Sequence, residues 1–107
     1  METIEKHKEE LKKLCGKYHV AELYLFGSFA RGEISEGSDI DFLVRFSGVK
    51  SSEYFDNYMD YKESLEKLFS RNIDLVEIQT LKNPVLKKSI ERNKIQLYGR
   101  EDSKVAV

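Results

Sequence analysis

Hydrophobic positions early in the chain follow a helical period: Ile4, Leu11, Leu14, Cys15 and Tyr18 recur among charges, predicting an amphipathic helix over residues 3–16 that Gly16 can end. The period then falls to two. Residues 20–26 read as a strand stopped by Gly27, with Ser28 placed to cap a short helical turn through Phe29, Ala30 and Arg31 to Gly32. Residues 33–38 form a loop in which Gly37 and Ser38 are turn residues. Over residues 39–46, Ile40, Phe42, Val44 and Phe46 alternate with Asp39, Asp41 and Leu43, as expected of a strand at the centre of a sheet.

A polar loop over 47–52 leads to a second long helix, whose buried stripe is read as Phe55, Tyr58, Met59, Leu65, Leu68 and Phe69. Tyr54, Tyr58 and Tyr61 crowd that helix beyond what one inward face holds, so the surplus points either to core packing or to a partner surface. Residues 73–78 make a third strand. Asn83 before Pro84 signals a helix start, since asparagine caps and proline gives up a donor that is unsatisfied there anyway. Val85, Leu86 and Ile90 are then expected to pack inward, and Ile95, Leu97 and Tyr98 to add a last short strand before Gly99. The alternation predicts an α/β (α+β) protein with three to four strands. Residues 1–100 read as one domain and 101–107 as a frayed tail, with no internal repeat.

Composition narrows the class. Hydrophobic residues at 40% and charged ones at 35% in 107 residues describe one globular core with a heavily charged surface. A net charge of −1 gives no global basic field, so direct nucleic-acid binding is not expected. Cys15 is single and reads as a small buried hydrophobe in a reducing cytoplasm. His7 and His19 read as surface residues. The charged first turns exclude a signal-peptide core, and no run is long enough to span a membrane, so a soluble cytoplasmic protein is expected.

The chemistry sits in the acids. Asp39 and Asp41 are two apart on a strand and leave the same face, roughly 6–7 Å apart along the backbone. Such carboxylates repel unless protonated, paired or bridged by a divalent cation, and Mg²⁺ prefers hard oxygen ligands. Asp74 opens the next strand, and if the two strands are neighbours three carboxylates converge where two ions would fit. Gly27 and Ser28, at a strand-to-helix turn, let a phosphate approach free amides closely. Arg31, one turn along, is placed either for the phosphates or for a nearby acid, and the sequence leaves that open.

A lone Gly-Ser turn and a lone Asp-x-Asp are each ordinary. Joined as Gly27-Ser28-Phe29-Ala30-Arg31-Gly32, five residues, then Ser38-Asp39-Ile40-Asp41, they resemble the signature of the nucleotidyltransferase superfamily related to polymerase beta, in its branch of minimal nucleotidyltransferases. The resemblance implies a small mixed sheet flanked by helices and a Gly-Ser pair that grips the triphosphate. It further implies three acids, Asp39, Asp41 and Asp74, holding two Mg²⁺ ions, with Asp74 as ligand or as base toward the acceptor. Because the minimal core uses nearly every residue, the acceptor is expected to arrive on another molecule. Proteins similar to this one are commonly antitoxins of two-gene modules with a HEPN-domain ribonuclease toxin, which implies transfer of AMP from ATP to a toxin tyrosine. Two other readings stay open: a non-catalytic antitoxin that masks the toxin by binding, and a transferase for small molecules such as antibiotics; a homo- or hetero-oligomer is compatible with each.

Overall fold

The computed structural model describes residues 2–27, 30–33 and 39–99. Their order is α1 (Glu2–Lys6), α2 (Lys8–Lys17), β1 (Val20–Phe26), β2 (Ile40–Phe46), a 3₁₀ turn (Ser51–Glu53), α3 (Tyr54–Phe69), β3 (Ile73–Glu77), a second 3₁₀ turn (Ile78–Thr80), α4 (Pro84–Asn93) and β4 (Ile95–Tyr98). The strands form one sheet in the order β3-β2-β1-β4. β2 and β3 run parallel, while β1 is antiparallel to both of its neighbours, so the sheet is mixed. β2 is interior, as its alternating pattern predicts.

The alternation separates the two faces of the sheet. Ile40, Phe42, Val44 and Phe46 turn to one side and join Leu23, Leu25, Ile73 and Leu75 under α2 and α3, which contribute Leu11, Cys15, Tyr61, Leu65 and Phe69. Each such side chain, fully buried, stabilises the fold by about 1.5–3 kcal/mol. Tyr61 is fully buried, and its hydroxyl and the Cys15 thiol lie 3.4 Å apart, so the polar end of the ring is satisfied inside the core. Burial pushes the Cys15 thiol up to about 11, against a smaller opposing effect of the Tyr61 hydrogen bond. Cys15 therefore sits as the inert small hydrophobe that was expected.

Several local expectations are corrected. The first helix breaks at His7, whose ring packs edge-on against Phe69 at 5.3 Å, so His7 is half-buried while His19 is exposed. Gly16 lies inside α2, which ends instead at Tyr18 and the left-handed His19 with φ 61°. In α3 the buried stripe is Tyr61, Leu65 and Phe69, and Phe55 is 71% exposed. β3 stops at Glu77 because Ile78 opens a 3₁₀ turn. Asn83 caps α4 as expected, its Oδ1 accepting the Val85 N–H at 2.9 Å, but that geometry turns Val85 outward, to 76% exposure, and leaves Ile90 buried.

Candidate active site

The acids come from the ends of two adjacent strands. The Ile40 amide donates to the Asn72 carbonyl at 3.1 Å, which ties the start of β2 to the start of β3. That bond fixes a parallel register in which Asp41 lies directly opposite Asp74. On its other side Asp41 is opposite Phe26, the last residue of β1, so the glycine bend after β1 falls against the same carboxylate.

Gly27 adopts φ +74°, and a Cβ built on it would lie 2.2 Å from Oδ2 of Asp41. A side chain at this bend is disfavoured twice, first because left-handed backbone is costly for residues with a Cβ and second because the Asp41 carboxylate would have to move aside. From beyond the bend, the Arg31 amide donates back to the Gly27 carbonyl at 3.2 Å. Ser28 and Ser38, assigned to phosphate contact and to the motif, lie outside the described residues.

The Asp41 and Asp74 side chains stand across the parallel register from each other. Burial holds the Asp41 carboxyl above the usual carboxylate range, helped next by the neighbouring Asp74 carboxyl and then by Asp39, while Arg31 pulls the other way. Asp74 and Asp39 are exposed and so open to a ligand, and Asp39 sits one position before β2. Among the described residues, no group of three or more His, Cys, Asp or Glu side chains is drawn together as a ready ligand set. The converged unit is the Asp41–Asp74 pair, with Asp39 beside it. Its hard oxygens, held close at a cost in mutual repulsion, fit a cation of the Mg²⁺ type. Arg31 pairs with Glu33, Nε to Oε1 at 3.3 Å, and its charge also acts on Asp41.

Sequence reasoning missed a second polar group on this face of the sheet. Glu22 accepts from the Tyr24 hydroxyl and, at 2.7 Å, from Nε of Arg45, and Lys94 places its ammonium 4.2 Å from the Tyr24 ring centroid. The Tyr24 hydrogen bond is the main reason the Glu22 carboxyl is held below its ordinary value, with Arg45 adding to it. Only the β1–β2 and β1–β4 registers bring these residues together, so no local pattern marks them.

A mixed four-stranded sheet whose glycine bend closes on a carboxylate pair is the architecture of a nucleotidyltransferase. The sequence profile of the nucleotidyltransferase domain family matches residues 4–97, and the chain belongs to that family and is an enzyme of that class. A proposed protein adenylyltransferase of Methanocaldococcus jannaschii is 43% identical over 94 residues, covering 88% of this chain and 90% of the relative. A solved structure of a proposed minimal nucleotidyltransferase superposes with a TM-score of 0.73 at 32% identity, covering 88% of this chain and 92% of that one. A Shewanella oneidensis complex of a tri-AMPylated HEPN toxin with its MNT antitoxin gives a TM-score of 0.64 at 19% identity, over 95% of this chain and 77% of that one, a likeness of fold. No helix among the described residues is long and apolar enough to cross a membrane.

Proposed function

We propose that this chain transfers AMP from ATP to a tyrosine of a HEPN-domain toxin, acting as the antitoxin of the pair. The observation that carries the reading is the Asp41–Asp74 pair set across parallel strands against Gly27. Support for the acceptor comes from the relatives: a protein adenylyltransferase by proposed name, and a fold neighbour solved with an AMPylated HEPN toxin.

In this reading Asp39 and Asp41 would hold Mg²⁺, two ions in the full assembly, with Asp74 serving either as a third ligand or as the base toward the acceptor. When bound, the metal supplies charge neutralisation for the triphosphate and lowers the pKa of the acceptor hydroxyl. Gly27 lets the backbone approach the phosphates, and Ser28 adds a hydroxyl donor. The acceptor phenol oxygen attacks the α-phosphorus while the bond to the bridging oxygen breaks, and pyrophosphate leaves. The phenol proton passes to a carboxylate, for which exposed Asp74 is the accessible candidate.

The test mixes the protein, ATP, Mg²⁺ and the toxin encoded beside it, followed by intact-mass analysis. A toxin heavier by one AMP per modified tyrosine, absent with Asp41→Asn, supports the reading. An unmodified toxin with the wild-type chain would end it, and neutralisation that survives Asp41→Asn would identify masking by binding instead.

A further inference from the structure

The strongest feature outside the carboxylate site is the charge on α4. From residue 82 to 94 the chain carries Lys82, Lys87, Lys88, Arg92 and Lys94 against a single carboxylate, Glu91, although the whole molecule has a net charge of −1. Lys82, Lys87, Lys88 and Arg92 are exposed, and none forms an ion pair among the described residues. On α4, Val85, Lys88 and Arg92 follow at i, i+3 and i+7 and so share one face, within roughly 60° of each other, while buried Ile90 points to the other side. The face therefore joins an exposed apolar side chain to two cations that have no ion-pair partner among the described residues.

Its position links it to the acids. Phe26 and Asp41 are direct partners, so Tyr24, two residues before Phe26, looks out on the same side of the sheet as Asp41. Lys94, immediately after α4, lies over the Tyr24 ring, which brings the end of the helix to that side. β4 then starts with Ile95 opposite Leu25, so the Lys94 backbone stands about two strand spacings, roughly 10 Å, from Asp41. Arg92 and Lys88 lie in the preceding turns of α4.

We infer that the outward face of α4 docks an acidic surface of the acceptor protein that presents its tyrosine to Asp41 and Asp74. The inference rests on the reading of the toxin as acceptor. Exposed cations beside an apolar contact suit a protein surface with carboxylates around an apolar centre. A nucleic acid, the other polyanion of suitable size, would use the charges but leave Val85 idle, and it would meet the three acids at the end of the track. Each lysine contributes little by itself, but a cluster of one sign speeds encounter and fixes orientation.

The test measures toxin affinity by biolayer interferometry at two salt concentrations for the full chain, K88E/R92E and a charge-matched control on α2, K12E/K13E. Thermal melts check that each is folded, and calorimetry follows ATP with Mg²⁺ and a single-stranded RNA oligonucleotide. Toxin affinity falling at least tenfold in K88E/R92E, with a flatter salt dependence and K12E/K13E within about twofold of the parent, supports the inference. Equal toxin affinity in all three chains overturns it, as does a loss confined to ATP or to RNA, which would reassign the face to that ligand. A full chain that neither binds nor modifies the toxin would instead defeat the reading of the acceptor.

Discussion

Gly27→Ala separates the conformational role of this residue from its contact with the Asp41 carboxylate, because Gly48 supplies a matched control. Both glycines hold left-handed backbone, φ +74° and +78°, but a Cβ at Gly48 meets nothing within 4 Å while one at Gly27 falls 2.2 Å from Oδ2 of Asp41. Alanine in that conformation costs about 1–2 kcal/mol, and in a domain of this size each kcal/mol lowers Tm by about 4–8 °C. Both variants should therefore melt roughly 4–16 °C below the parent. The nearest atom at Gly27 is the tip of a side chain, so the carboxylate rather than the backbone gives way. Restoring van der Waals contact displaces it by about 1 Å, an error that costs roughly a hundredfold in rate. Thermal melts and steady-state AMP transfer on both variants make the comparison. Similar melting with a rate loss confined to Gly27→Ala is expected; transfer by Gly27→Ala within twofold of Gly48→Ala would refute the reasoning.

Other outcomes follow from the same geometry. Because burial and Asp74 raise the Asp41 pKa, its ionised form disfavours the fold at pH above its ordinary value of 3.8, so metal-free Asp41→Asn should melt at or above the parent temperature while losing transfer. Glu22 is the opposite case: its lowered folded pKa contributes stability above about pH 4.5 that is lost as pH falls through the folded value, so Glu22→Gln should flatten the acid side of a urea-midpoint profile against pH. Tyr61→Ala should cost about 3–5 kcal/mol in urea denaturation, and Tyr61→Phe only about 1, since the second change removes the hydroxyl and leaves the ring. Asn83→Ala should lower stability by about 1 kcal/mol through loss of the α4 cap, seen as a shift in urea midpoint with an unchanged slope.

Features set by the chain's own local chemistry were legible in the sequence. β1 was bounded correctly because Gly27 stops the strand, and α4 started where Asn83 and Pro84 demand it. The acids were legible as residues, but their meeting was conditional on β2 and β3 being neighbours, a parallel register that nothing local specifies. Where several apolar side chains compete for one helical face, tertiary contacts decide. Tyr61 is drawn in by the Cys15 thiol and the Tyr18 and Phe46 rings, and Phe55, six residues earlier, is turned out. The break at His7 and the outward turn of Val85 have the same origin, in packing and capping geometry that a periodic pattern does not contain.

Paramagnetic Mn²⁺, added with a non-hydrolysable ATP analogue to ¹⁵N-labelled protein, tests the proposed metal–nucleotide site most directly, since broadening of amide signals falls off steeply with distance from the ion. The account predicts loss of signal centred on Gly27, Asp41 and Asp74, abolished by Asp41→Asn. Broadening centred elsewhere, such as on the exposed acids Asp56, Asp60 and Glu63 of α3, or left unchanged in that variant, would contradict it.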